Sequence, residues 1–113
     1  MSQEKPSINI TSNNQQGGIT AYQVNIGRVD LVFDEAIANA VMAKIPKDRP
    51  FDLQANGSAR DFQVAESYSR YLQNNGYTLR KYIQMGRPSP PPDSPIMIMV
   101  RPDSTFLTFS PRT

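Results

Sequence analysis

The chain has 113 residues, which suits one domain of ordinary size and is too short for two. It contains no Cys, His or Trp, which excludes a thiol or imidazole nucleophile, a Ser-His-Asp triad, a zinc site of Cys and His ligands, and a structural disulfide. Twelve basic against ten acidic residues give a formal net charge of +2, which by itself does not indicate nucleic-acid binding.

The sequence has no stretch with the character of a signal peptide or a membrane span. The first six residues lack an apolar core, and the longest apolar run is Ile96 to Val100, whereas a spanning helix needs about 20 apolar residues. We therefore expect a cytoplasmic protein with no membrane partner.

Residues 7–27 are rich in uncharged amides and hydroxyls, and apolar residues alternate with them. This alternation on both sides of Gly17-Gly18 predicts two short strands joined by a turn. The apolar positions are Ile8, Ile10, Ile19, Tyr22, Val24 and Ile26. An isolated two-stranded ribbon is marginal in water, so it must pack on the rest of the chain or on another copy. We expect residues 1–27 to form a β-arm that precedes one body over residues 28–113.

The body begins with a predicted strand, since the apolar residues Val29, Leu31 and Phe33 continue the alternation of the arm. Asp34 then has the character of a helix N-cap, and the helix that follows must end before Pro46.

A strand, a helix and a second strand are predicted next. Residues 51–55 alternate as a strand, and Ser58 with Asp61 matches a capping box at the start of a helix that Gly76 terminates. Residues 78–85 form the second strand, with Leu79, Ile83 and Met85 expected to point inward. The order and spacing are typical of a βαβ unit, which has a right-handed crossover if its strands are parallel.

The last part of the chain predicts an extended connection and a hairpin. Residues 88–95 hold five of the ten prolines, which favours a polyproline II segment. Residues 96–100 are apolar on both faces, as suits an inner strand, and residues 105–109 return after a turn. The sequence thus predicts an α+β fold: a mixed sheet of about five or six strands with two helices, preceded by an amide-rich N-terminal β-arm or hairpin.

No pattern in the sequence indicates catalysis or a bound cofactor. Asp34 and Glu35 fit the start of a helix, and Asp48 and Asp52 flank Arg49 in a loop, where a local ion pair explains them. Clustered triple carboxylates and glycine-rich phosphate loops are both missing from the sequence. We predict no catalytic residues, no metal and no cofactor.

One segment has an uneven charge. Between Ser67 and Pro92 there are four basic residues and no acidic residue, and four tyrosines lie among them. Basic and aromatic side chains together are typical of single-stranded nucleic-acid sites, and the residues that would form one are Arg70, Arg80, Lys81, Tyr82 and Arg87. The alternative is a basic patch that is solvated or that meets an acidic patch on a partner.

The arm resembles a segment found in known bacterial proteins. The string is Ser12-Asn13-Asn14-Gln15-Gln16-Gly17-Gly18-Ile19-Thr20-Ala21. This string, together with the predicted arrangement of residues 51–77, is similar to that of uncharacterised bacterial small α/β proteins. Short proteins of this kind are typical of mobile gene cassettes. That resemblance implies no activity and no site residue.

The sequence therefore favours a non-catalytic, homo-oligomeric structural or interaction module assembled through its β-arm, because the apolar face of the arm is large for a two-helix body to cover. Two alternatives stay open. One is single-stranded nucleic-acid binding through residues 70–87, and the other is a small enzyme with a pocket at a subunit interface.

Overall fold

The computed structural model of the chain describes residues 8–15, 18–26, 32–87 and 94–111. In these ranges the strands and helices are β1 Asn9–Gln15, β2 Ile19–Asn25, α1 Glu35–Met42, β3 Phe51–Asn56, α2 Ala59–Asn74, β4 Leu79–Met85, β5 Ile96–Val100 and β6 Thr105–Phe109. The predicted α+β fold with two helices is confirmed.

All six strands form one mixed sheet in the order β1-β2-β5-β6-β3-β4. The pairs β1–β2, β2–β5 and β5–β6 are antiparallel, whereas β3 is parallel to both β6 and β4. The β3-α2-β4 segment is thus the predicted βαβ unit, and β5 is the predicted inner strand. The sheet has two edges, β1 and β4.

The core lies between the two helices and one face of the sheet. Residues from both helices and from β2, β3, β5 and β6 form one buried cluster that includes Val24, Ile37, Val41, Leu53, Ala65, Tyr68, Leu72, Ile98, Leu107 and Phe109. Helix α1 buries one of its own sides in this core, and helix α2 buries a stripe that includes Ala65, Ser69 and Leu72. The helices therefore cover only one side of the sheet.

The helix ends follow the sequence signals. The carboxylate of Asp34 accepts hydrogen bonds from the N–H groups of Ala36 at 2.8 Å and Ile37 at 3.3 Å. At α2, the Ser58 N–H donates to Asp61 at 2.8 Å, as in a capping box. Gly76 has a φ of 95°, which confirms its role as the terminator of α2.

The β-arm packs on the rest of its own chain. Strand β2 is hydrogen-bonded to β5 inside the sheet, with Tyr22 opposite Ile98 and Val24 opposite Ile96. Val24 and Ile26 are fully buried in the common core. These two side chains therefore face the helices of the same chain.

The inward face of β4 differs from the prediction. Leu79 faces the core, but the register between β3 and β4 shifts at Phe51/Asp52, so that Tyr82 pairs with Leu53 and packs against the core. Met85 is 52% exposed. Assigning Ile83 and Met85 to the inward face was wrong, because a strict two-residue alternation makes no allowance for an irregular residue pairing.

Two predicted segments fall outside the described residues. The predicted strand over 29–33 lies mostly there, and Val32 and Phe33, which are described, belong to no strand. The predicted polyproline segment over 88–95 lies there except for its last two residues. In the part of the chain that the structure describes, neither helix has the length and apolarity needed to cross a bilayer.

Candidate interaction surfaces

The sheet face opposite the helices is called the open face here. Side chains alternate along each strand, so the residues between the core positions form this face. Its central side chains are Ala21, Gln23, Gln54, Ile83, Met97, Met99, Phe106 and Thr108, and all of them are half-buried. They come from five neighbouring strands, β2 to β4 in the order of the sheet.

The middle of the open face is apolar. Met99 lies opposite Ala21 on one side and Phe106 on the other, and Met97 lies between Gln23 and Thr108. The small side chain of Ala21 helps to leave a cavity of about 90 Å³ among these neighbours. An apolar depression of this size accepts an aliphatic side chain.

Charges lie only at the border of the open face among the described side chains. The Arg101 guanidinium sits 5.3 Å from the centre of the Phe106 ring, a cation–π contact. Arg80 and Asp52 neutralise each other at 2.7 Å. The central region therefore carries no charged side chain.

A second surface lies between helix α2 and the edge strand β4, and is called the α2–β4 groove. Its volume is about 300 Å³. The residues around it are Leu53, Glu66, Ser69, Arg70, Gln73, Leu79 and Tyr82. Leu53 and Leu79 give it an apolar part, and α2 supplies the polar side.

Hydrogen bonds fix the polar side of the groove. The Tyr82 hydroxyl donates to the Glu66 carboxylate at 2.9 Å and accepts from the Gln84 side-chain amide at 3.1 Å. The Gln73 amide donates to the Ser69 hydroxyl at 2.9 Å. Arg70 makes only a 3.3 Å contact with the Ser67 hydroxyl among the described residues.

Burial raises the pKa of the Tyr82 hydroxyl above its usual value near 10. The phenol therefore keeps its proton at neutral pH and serves as a hydrogen-bond donor. Burial likewise raises the pKa of Tyr77, whose hydroxyl donates to the Ile45 carbonyl at 2.9 Å. These groups are suited to holding structure or ligand and not to accepting a proton.

The five residues predicted for nucleic-acid binding do not form one site. Arg70 and Tyr82 meet in the α2–β4 groove. Arg80 binds Asp52, which alternates with Leu53 along β3 and so lies on the other side of the sheet. Lys81 and Arg87 are exposed.

The predicted oligomer-interface residues divide between the core and half-buried positions. Val24 and Ile26 are fully buried, whereas Ile8, Ile10 and Tyr22 are partly buried against the same core. Ile19 is half-buried.

Sequence reasoning did not single out Ala21, Met97, Met99 or Phe106 as interface candidates. A signal was present in residues 96–100, which are apolar on both faces. It correctly indicated an inner strand, but an inner strand of a sheet covered on one side needs only one apolar face.

Within the described ranges, no three side chains of the types Asp, Glu, His or Cys come close enough together to hold a metal ion. Comparisons with protein-family models, with curated proteins and with solved structures gave no match to this chain.

Proposed function

We propose that this chain is a non-catalytic interaction module that assembles with copies of itself through the open face. The observation that carries this proposal is the pair of methionines on the side of β5 that faces away from the helices, Met97 and Met99, beside Phe106 of β6. A sheet with one solvated face normally alternates apolar inward and polar outward residues. Apolar outward residues in the middle of a sheet are typical of a contact surface.

The dimensions of the open face support a stable contact. With strands about 4.8 Å apart and rising about 3.3 Å per residue, a six-stranded sheet of this strand length has a plan area of roughly 500 Å². A biological interface buries about 1,000 Å² or more in total, which is about 500 Å² on each partner. Two open faces therefore supply sufficient area.

A second copy suits this surface better than a charged partner does. The central side chains are uncharged, so two identical faces meet without repulsion between like charges. In a two-fold contact each copy offers the same patch, and an apolar side chain of one enters the cavity beside Ala21 of the other. The free energy of association comes from the burial of Met97, Met99 and Phe106.

The proposal is tested by Met99→Glu, which puts a charge in the centre of the open face and leaves the core untouched. We expect the wild-type protein to be a dimer or larger by sedimentation equilibrium, and the variant to be monomeric with an unchanged far-UV circular dichroism spectrum. Gln63→Glu, on the exposed side of α2, is the matched control and should keep the wild-type mass. A wild-type monomer at concentrations up to about 100 μM would contradict the proposal.

Deleting the β-arm is not a suitable test of assembly. Residues 1–27 include Val24 and Ile26, which are buried in the core of their own chain. Their removal would unfold the protein and abolish any contact, whatever surface forms it.

A further inference from the structure

We propose that the α2–β4 groove binds an extended acidic peptide segment of another protein, which adds a strand to the free edge of β4 and places an apolar side chain between α2 and β4. This site is independent of self-assembly, because it uses the backbone edge of β4 and the face that α2 covers, and none of Met97, Met99 and Phe106.

The backbone of β4 has one side that no other described strand pairs with. Strand β4 ends the sheet, with β3 as its only neighbour among the described strands. The Met85 carbonyl accepts the Gly57 N–H at 3.1 Å, so the backbone N–H and C=O groups of Met85 face β3. In a parallel ladder, the backbone N–H and C=O groups of every second residue face the same neighbouring strand. The backbone N–H and C=O groups of Tyr82 and Gln84 therefore face the open edge, where an added strand forms hydrogen bonds with them.

The α2–β4 groove lies directly beside that edge. A residue that pairs with Tyr82 from an added strand has its side chain on the same face as Tyr82, which is the face that α2 covers. That side chain reaches the apolar part of the groove at Leu53 and Leu79. The cavity of about 300 Å³ is large enough for a bulky aliphatic or aromatic group.

The charges near the groove suit an acidic partner. Arg70 borders the groove, Lys81 lies on β4, and Arg87 follows it. None of the three forms an ion pair with another described residue, whereas Glu66 is held by the Tyr82 hydroxyl. A Glu or Asp next to the peptide's apolar residue has its side chain on the side of β4 where Lys81 pairs with Asp52, and Arg70 and Arg87 attract it at longer range. Attraction of this kind also speeds association.

The same charges disfavour pairing of β4 with β4 of a second copy. Such pairing brings the Lys81 side chains of both chains close together, and charged side chains on an edge are a common way in which proteins protect an edge strand. An acidic segment converts that repulsion into attraction. The edge is thereby selective for a partner of opposite charge.

The geometry favours a peptide over a single-stranded nucleic acid. Nucleic-acid sites of this type stack bases on exposed aromatic rings. The Tyr82 ring is packed against the core, and the Arg80 guanidinium is bound to Asp52. An exposed strand edge, in contrast, is complementary to a peptide backbone.

The experiment uses the full chain and a set of synthetic octapeptides in which Glu alternates with Val and the central apolar residue is varied. We expect at least one of them to bind by fluorescence anisotropy at low salt, and the same peptides with Lys in place of Glu not to bind. Met99→Glu should bind as the wild type does, since it alters only the open face. Failure of every acidic peptide to bind, or binding of single-stranded oligothymidine instead, would overturn the proposal.

The decisive variant is Gln84→Pro, which removes the outward N–H of an exposed edge residue. We expect it to weaken peptide binding by about tenfold or more, whereas Gln84→Ala, which keeps the N–H, should bind within about threefold of the wild type. Arg70→Glu should also weaken binding. Equal affinities of Gln84→Pro and Gln84→Ala would contradict strand addition.

Amide hydrogen exchange gives a test without any substitution, and decides the matter if Gln84→Pro does not fold. Bound peptide should slow exchange at the N–H groups of Tyr82 and Gln84. Saturating peptide with no change in exchange at these two amides would show that it binds elsewhere.

Discussion

Arg80 on the edge strand β4 binds both carboxylate oxygens of Asp52 on β3. The Nε–Oδ1 and Nη2–Oδ2 distances are 3.0 and 2.7 Å. The Asp52 side chain is only 6% exposed, whereas that of Arg80 is 48% exposed. Hydrogen bonding to Asp52 raises the pKa of the Arg80 guanidinium. The pair lies where the register of β3 and β4 shifts, and so ties the edge strand to the sheet at an irregular point.

Arg80→Met should lower the free energy of unfolding by about 2 kcal/mol, because it leaves the Asp52 carboxylate buried without its charged partner. Urea denaturation at neutral pH measures this loss. The double variant Asp52→Asn/Arg80→Met removes both charges and should be more stable than Arg80→Met alone. Additive effects of the two single substitutions would mean that the pair contributes nothing.

Gly57 joins β3 to α2 with a φ of 119°, in the region that side chains rarely adopt. A Cβ atom there would also collide with the carboxylate of Asp61, which caps α2. We expect Gly57→Ala to lower the free energy of unfolding by about 2 kcal/mol or more.

Gly86 provides the matched control for that substitution. A Cβ atom at Gly86 meets nothing within 4 Å, and its φ is not positive. Gly86→Ala should therefore change the free energy of unfolding by less than about 0.5 kcal/mol. Similar thermal unfolding of both variants would show that the turn at Gly57 tolerates a side chain.

Tyr68 makes the fold sensitive to alkali. Burial raises the pKa of its hydroxyl, which donates to the Val32 carbonyl, above the ordinary value of 10. The neutral phenol stabilises the fold fully below pH 10. Above pH 10 the unfolded chain releases this proton while the folded chain keeps it, so the free energy of unfolding falls by up to about 1.4 kcal/mol per pH unit.

Tyr68→Phe should remove this contribution. The slope of the free energy of unfolding against pH above pH 10 should decrease by about one proton, while at neutral pH the variant loses about 1 kcal/mol with its hydrogen bond. Urea titrations at several alkaline pH values measure the slope. Identical slopes in both proteins would show that Tyr68 does not cause the sensitivity.

Local signals predicted most of the fold. The caps at Asp34 and Ser58 and the terminator Gly76 depend on residues close together in the chain, and all three were predicted correctly. The open face required knowledge of where the helices pack, because residues 96–100 are apolar on both sides. Only the packing of α1 and α2 shows which of the two sides faces away from the helices.

The α2–β4 groove was partly visible in the sequence. The basic segment around Arg70 and Lys81 was recognised, but its side chains were expected on one surface. The shifted register places Tyr82 with the helices, while Arg80 reaches the opposite side through Asp52. A register shift depends on contacts between residues of different strands, such as Asp52 and Arg80, which are 28 positions apart in the chain. The alternation of residues within one strand carries no information about such contacts.

The position of the arm in the core leads to a last prediction. Ile26→Ala should lower the free energy of unfolding by about 2 to 4 kcal/mol, because Ile26 is fully buried, whereas Ile10→Ala should cost less because Ile10 is only partly buried. Since Val24 and Ile26 pack within one chain, the loss caused by Ile26→Ala should not depend on protein concentration. Thermal unfolding at concentrations that differ by about a hundredfold measures this. If the loss instead changed with concentration, the arm would be packing on a second copy.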